Sequence, residues 1–528
     1  MNDEKRNLLT IHNPALLPFL TPLPDDITVT TTRSGVPTVC YHTSAGKKYI
    51  HSHYDPITEA QKLLNTITVK NNHYLIIFGN GLGYAAYEAL HRGFKRIIIV
   101  ENNSSLITAW LNTASLAEIK MILEKTQFIY THTPHHTAQT LINAVNINTS
   151  PVIDVLELRP VCDINTHYWN TLRTAFNTVL QHAINQRATT RHLALLWIIN
   201  TVRTLPHTLQ CTFSLPKYPH PVIIISAGPS LDQYRTLLPS LAAHALLMCV
   251  DTACPILADM NITPDIIISI DPQPISHAHF VNHYYSAAYI RSIFSHPAVV
   301  QHFAPEQTFC FIGYHPLESP FIDIGGCTPA HTGGSVTTAA VQAARIMQAS
   351  HIILLGTDLC YQRMHPYAHG TYIEQQYHRQ TQRMRSLESL TRSFIKKRAR
   401  RNRDGYMTGS SMHMSQQWLD NAVHNYTGRA LRVGDGLPLQ NWQSCTPEEI
   451  ITILGTHTKP PIRFTGTPIH NKKRIQTRIA ALLHNAISAP FTDDIHHPLY
   501  DIISALPGTA DYHNTILKKM LRILSDEE

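Results

Sequence analysis

Apolar residues gather in short unbroken runs along much of the chain, and glycine, serine and aspartate recur where those runs stop. Tyr74-Leu75-Ile76-Ile77-Phe78 and Ile97-Ile98-Ile99-Val100-Glu101 predict buried parallel strands, because a strand covered on both faces has no polar side to alternate with. Gly79-Asn80-Gly81-Leu82-Gly83 and a helix lie between them, which makes a βαβ unit. Ahead of it, Pro14 to Thr43 is rich in proline and threonine and predicts β-like or irregular chain. Ile57, Ala60, Leu63 and Leu64 share one face of a short helix. Beyond it, Trp169, Leu172, Phe176, Leu180 and Ile184 keep helical spacing, and the helix runs on to about Thr204.

The Pro-containing stretch Leu205 to Pro221 reads as a boundary. Strands are then predicted at Val222–Ile225, Ala245–Val250, Ile266–Ile270, Phe309–Ile312 and Ile352–Leu355, with a helix opened by Gly333-Gly334-Ser335-Val336. Strands alternating with helices imply a doubly wound α/β domain. Further on, Lys459-Pro460-Pro461 marks a linker. Ile475, Ile479, Leu482, Leu483 and Ala486 make one amphipathic face, and Ile516, Leu517, Met520, Leu521 and Leu524 another. The expected class is α/β. The expected division is an N-terminal block with a Rossmann-like βαβ unit (1–205), a central domain (218–378), a basic insertion (379–405) and a mostly helical C-terminal region (406–528).

Composition narrows the function classes. With 43% hydrophobic and 15% charged residues among 528, the chain can bury real cores and is not disordered. A formal charge of +7 is too small for this length to argue for nucleic acid. Much of the basic character sits in one run: Arg379, Arg383, Arg385, Arg392, Lys396, Lys397, Arg398, Arg400, Arg401 and Arg403. That run reads either as an anion-facing surface or as a solvated helix face. The 34 histidines are spread without metal-ligand spacing, and the nine cysteines are odd in number with no C-x-x-C. Neither a disulfide framework nor a metal site is expected. No run reaches the ~18 apolar residues of a membrane helix, and Met1 to Arg6 leads into no apolar stretch. The expectation is a reduced, cytoplasmic protein without an integral membrane segment.

Ligands of doubly wound folds bind beyond the carboxyl ends of the strands, and the candidate chemistry lies there. Ser226-Ala227-Gly228-Pro229-Ser230 follows the first central strand. Proline suits the first helical position, and a helix start with serine hydroxyls can hold a phosphate; the other reading is a tight turn with a serine cap. Thr332, Gly333, Gly334 and Ser335 open a second helix without bulky side chains, as a sugar or phosphate site or as a capped start. Asp251, Asp271 and Asp358 each follow a strand, where carboxylates hold ribose hydroxyls, act as bases or cap helices. His365 and His369 follow Asp358, and a neutral imidazole there can take a proton from an acceptor hydroxyl. Gly79 to Gly83 with Glu101 is similar to a dinucleotide or S-adenosylmethionine fingerprint, and equally fits a structural turn.

Taken in order, Ser226-Ala227-Gly228-Pro229-Ser230-Leu231-Asp232, Pro264-Asp265 leading to Ser269-Ile270-Asp271, Gly333 to Ala339 and Leu355-Gly356-Thr357-Asp358-Leu359 resemble the motility accessory factor (Maf) family of bacterial flagellin glycosyltransferases. The stretch Gly79 to Glu101 looks like that family's N-terminal region, and Asn425-Tyr426-Thr427 through Gly434 is similar to a later motif. The resemblance implies a central glycosyltransferase-like domain. It implies transfer of a nonulosonic acid, pseudaminic or legionaminic in type, from its CMP-activated form to Ser or Thr of flagellin. The implied donor substrate is the CMP-sugar, no separate cofactor is called for, and a need for Mg²⁺ is left open. CMP would sit over Ser226 to Ser230 with Asp251 or Asp271 near the ribose, Thr332 to Ser335 near sugar or phosphate, and a histidine as base. After Asp358 the family shows His, Ala and then Gly. Here Met364-His365-Pro366-Tyr367-Ala368-His369-Gly370 offers two histidines, and distance from Asp358 favours His369. The central domain is also related to an archaeal 6-hydroxymethylpterin diphosphokinase. An ATP-dependent pterin diphosphokinase and a non-catalytic flagellin-binding accessory protein or chaperone are therefore the alternatives.

Overall fold

The structure is a computed structural model and describes residues 3–20, 22–43, 46–145, 151–281, 285–313, 315–455, 457, 459–462, 469–488 and 510–525. The chain divides into two compact units, Met1–Thr190 and Arg191–Glu528.

In the first unit an antiparallel sheet of β1 (Ile27–Thr31), β2 (Pro37–Thr43) and β3 (Gly46–Tyr49) precedes a parallel one. The parallel sheet contains β4 (His73–Phe78), β5 (Arg96–Glu101), β6 (Thr126–Tyr130) and β7 (Val152–Glu157) in the order β6-β5-β4-β7. Every residue of β4 is buried, as its unbroken apolar run requires. The helix Thr166–Thr208 begins in this core with Trp169, Leu172 and Phe176 and contributes Ala194, Ile198 and Val202 to a core of the second unit. Ile184 is 44% exposed, so the helical stripe read from the sequence is buried only in part.

The second unit is built on eight parallel strands: β8 (Val222–Ile225), β9 (Leu246–Val250), β10 (Ile266–Ser269), β11 (Ala288–Ser292), β12 (Thr308–Phe311), β13 (His351–Leu355), β16 (Arg429–Val433) and β17 (Gln443–Cys445). Between β13 and β16 the chain makes a small hairpin, β14 (Arg400–Arg401) with β15 (Met407–Thr408). The order across the sheet is β12-β11-β10-β9-β8-β13-β16-β17. The chain thus builds outward from β8 to β12, then returns to the other side of β8 with β13. Residues after the basic insertion carry the helices Ser410–Val423, Pro447–Leu454, Lys472–Ser488 and Ala510–Ser525, and also the strands β16 and β17 that extend the central sheet. The last two helices pack together with Ile475, Ile479, Leu482, Leu483, Leu517, Met520 and Leu524 buried. The side chain of Ala486 lies outside the described residues.

Candidate active site

In an open α/β sheet, ligands bind where the strand order reverses, beyond the carboxyl ends. Here that point lies between β8 and β13. Two turns meet there, Ser226 to Ser230 after β8 and Gly356-Thr357-Asp358 after β13, and they press backbone to backbone. Gly228 N–H donates to the Gly356 carbonyl at 2.8 Å. A Cβ on Gly228 would overlap that carbonyl, and one on Gly356 would overlap the Ser226 carbonyl. Glycine is required at both by close approach, and at Gly356 also by a φ of +70°.

A cavity of about 310 Å³ opens at this junction. The β8 turn lines it with Ser226, Gly228 and Pro229, and the β13 turn with Gly356, Thr357 and Asp358. Ser226 Oγ is 3.0 Å from Thr337 Oγ1 and accepts from Thr357 Oγ1 at 3.1 Å, so three hydroxyls form one cluster on its wall. Two helix starts also face the cavity. Ser335 caps the helix Val336–Ile346 by accepting from Thr338 N–H. The second start is that of Ser410–Val423, through Ser411, Met412 and Ser415, and no side chain caps it. An uncapped helix start presents N–H donors and the positive end of the dipole to an anion.

The sequence-predicted residues divide on inspection. Ser226, Gly228, Pro229, Ser335 and Asp358 line the cavity. Ser230 was expected to donate to a nucleotide, but it is buried and committed to the protein. Its N–H donates to Asp358 Oδ2 at 2.8 Å and its hydroxyl donates to Asp358 Oδ1. Burial pushes the Asp358 carboxyl above the usual range, against the opposing pull of Ser230 and Arg432. Pro229 opens a nine-residue 3₁₀-helix, Pro229–Leu237. Gly333 has a φ of +70° and abuts the Trp418 ring, while Gly334 is open to solvent. Thr332 is half-buried outside the lining.

Asp251 is buried and satisfied by Ser269 Oγ at 2.6 Å and by Thr252 N–H at 2.7 Å; its neighbours Val250 and Thr252 reach the cavity. Asp271 accepts from Gln273 N–H at 2.8 Å, and burial followed by the nearby Asp251 raises its pKa. Among the described residues no group of three or more His, Cys, Asp or Glu is placed to hold a metal ion.

Pro366 and Tyr367 line the cavity, whereas His365 and His369 on either side do not. The His369 Nδ1 lies 2.6 Å from Asp232 Oδ2, and its backbone N–H also reaches that carboxylate. Asp232 in turn accepts from Arg235. This arrangement fixes the ring and leaves Nε2 without a hydrogen-bond partner among the described residues, a geometry suited to accepting a proton. The His365 ring lies beside it, tilted by 51° with ring centroids 5.3 Å apart. The sequence reading gave Asp232 no role and passed over Ser411, Met412 and Ser415. Gly409-Ser410-Ser411 repeats the small-residue-plus-hydroxyl pattern of Gly334-Ser335 and was the signal available for them.

In the first unit the glycine-rich loop after β4 is filled by protein. His51 Nε2 accepts the Leu82 N–H at 2.9 Å and occupies the space beside Gly81; Val161 fills that beside Gly79 and Trp110 that beside Gly83. Glu101 is completely buried and accepts backbone N–H from Asn80, Asn102 and Asn103 at 2.9–3.0 Å. Burial raises its pKa to about 7 against those donors. The carboxylate that would bind a ribose is used to hold the loop.

Residues 198–364 match the family described as 6-hydroxymethylpterin diphosphokinase MptE-like. An uncharacterized protein of Treponema pallidum (strain Nichols) is 36% identical over 93 residues, 17% of this chain and 44% of its own length. The chain thus spans less than half the length of that relative. A solved MAf glycosyltransferase from Magnetospirillum magneticum AMB-1 superposes with a TM-score of 0.63 at 14% identity, covering 99% of this chain and 89% of that one. Across nearly its whole length, this chain has the fold of a Maf glycosyltransferase.

Proposed function

We propose that the chain is a motility-associated glycosyltransferase that takes a nonulosonic acid of pseudaminic or legionaminic type from its CMP-activated form and delivers it to Ser or Thr hydroxyls of flagellin. The observation that carries this reading is the 310 Å³ cavity at the strand-order reversal, which combines hydroxyl groups with an uncapped helix start. In this reading the CMP phosphate faces the N–H groups of Ser411 and Met412. Ser226, Thr337 and Thr357 supply adjustable hydroxyl donors, whereas Asp271 lies outside the cavity lining. The acceptor hydroxyl oxygen attacks the anomeric carbon, the bond from that carbon to the CMP phosphate oxygen breaks, and the hydroxyl proton passes to His369. Asp232 supports the positive imidazolium that results. The helix dipole stabilises charge growing on the departing phosphate. The whole-chain likeness to a glycosyltransferase fold supports this reading.

The match of residues 198–364 favours one second reading, diphosphate transfer from ATP to a pterin. One titration series separates the two. CMP, UDP, ATP with Mg²⁺ and S-adenosylmethionine are each added to the full chain, with heat release recorded. CMP is expected to bind in preference to the others, and Ser411→Asp to weaken it about tenfold or more. An acidic residue in the first helical turn favours the helix yet repels a phosphate, so the variant stays folded. ATP binding with Mg²⁺ and no CMP binding replaces this reading with the kinase. Binding of no nucleotide replaces it with the accessory role.

A further inference from the structure

The 25 residues 379–403 carry ten Lys or Arg and one acid, Glu388, a net +9. The whole chain is +7, so everything else sums to −2. All ten cations are exposed. The Lys and Arg ion pairs among the described residues lie elsewhere, at Arg92, Lys120, Arg173, Arg235 and Lys459.

Helix stability accounts for part of this charge only. Lys396, Lys397 and Arg398 occupy the last turn of the helix Leu387–Arg398, where cations suit the dipole. Arg400 joins them by donating to the Lys396 and Ala399 carbonyls. Arg383 and Arg385 stand just before the N-cap Ser386, the end at which a cation opposes the dipole. Between them Met384 is 94% exposed, at the tip of a tight turn closed by paired bonds between Gln382 and Arg385 at 2.9–3.0 Å. A bare apolar side chain flanked by arginines is costly in water and gains nothing from the rest of the chain. The helix beneath it is held from inside by Leu390 and Ile395, so its outer face is free to carry charge.

We propose that this segment is a peripheral membrane-binding surface for anionic lipid headgroups, with Met384 entering the headgroup layer and the cations of the helix and hairpin contacting phosphates and carboxylates around it. Exposed basic residues beside one inserted apolar side chain give electrostatic attraction together with a small apolar anchor. The twelve-residue helix extends the charged face over about 18 Å.

The test is cosedimentation of the full chain with vesicles of phosphatidylcholine alone or with about 30 mol % phosphatidylserine. Binding is expected only to the anionic vesicles and is expected to fade as NaCl rises from about 0.1 to 0.5 M. Lys396→Glu with Lys397→Glu should weaken it at least about tenfold, and Met384→Ser severalfold with no change in charge; thermal melts check that both variants are folded. Equal binding to both vesicle types, or none to either, overturns the proposal. So does binding that the charge reversal leaves intact. If poly-L-glutamate binds while anionic vesicles do not, the surface serves an acidic polypeptide and the lipid proposal fails. An unaltered affinity in Met384→Ser removes the insertion.

Discussion

Asp358 and Ser230 are 128 positions apart, and their pairing was not legible in the sequence. Strand-end position marked each as a ligand contact; only the meeting of the two turns shows that they satisfy each other. Ser230→Ala would leave a buried carboxylate with one donor fewer, so a loss of about 1–3 kcal/mol is expected in urea unfolding. The same reasoning reaches Glu318, which lies beyond β12 and accepts from His315 N–H at 3.0 Å. Burial raises its pKa from 4.5 to about 7, against backbone donors at Gly313 and His315. The folded state therefore holds a proton that the unfolded state has released. Stability from this group is complete below pH 4.5 and is lost as pH rises through 7. Glu318→Gln keeps the acceptor and removes the titration. Wild type should thus lose about 3 kcal/mol relative to the variant across that window, read from paired melts at several pH values.

Elements were legible where chemistry and periodicity agreed. The apolar runs of β4, β5, β8, β9, β10 and β13 stood out because both faces of those strands are buried. β11 was missed because Arg291 interrupts it. That side chain is fully buried, bonded to Thr208 Oγ1 at 2.6 Å and to the Ser292 carbonyl at 3.1 Å. A charged residue inside a short strand reads as surface until its partners are seen. The strand β16 was missed for the same reason, with Arg432 buried next to its last residue and donating to the Leu437 carbonyl at 2.6 Å. In the first unit, the sequence permitted a nucleotide loop at Gly79 to Gly83. The structure fills that loop with His51, Val161 and Trp110. Calorimetry with NAD or S-adenosylmethionine should therefore show no binding; a saturable heat abolished by Gly81→Ala would overturn this account of the loop.

The central sheet depends on chain from both sides of the basic insertion. β13 has β8 on one side and β16 on the other, and β16 begins at Arg429. A fragment limited to 218–378 would expose the β13 edge and the apolar faces that Leu419, Leu431 and Val433 cover. Such a fragment is expected to aggregate on expression, whereas one spanning 191–528 keeps the sheet; soluble yield and circular dichroism separate the cases. The cavity has the same dependence, since Leu437 N–H donates to the Asp358 carbonyl at 2.7 Å. Its wall joins residues from Ser226 to Ser415, and the Asp358 turn is tied both to Ser230 and to Leu437. During synthesis at about 5–20 residues per second, the β8 turn leaves the ribosome many seconds before its last supporting residue does. On the proposed reading, a nascent chain carries the complete glycine turn well before the cavity that would take the donor is closed.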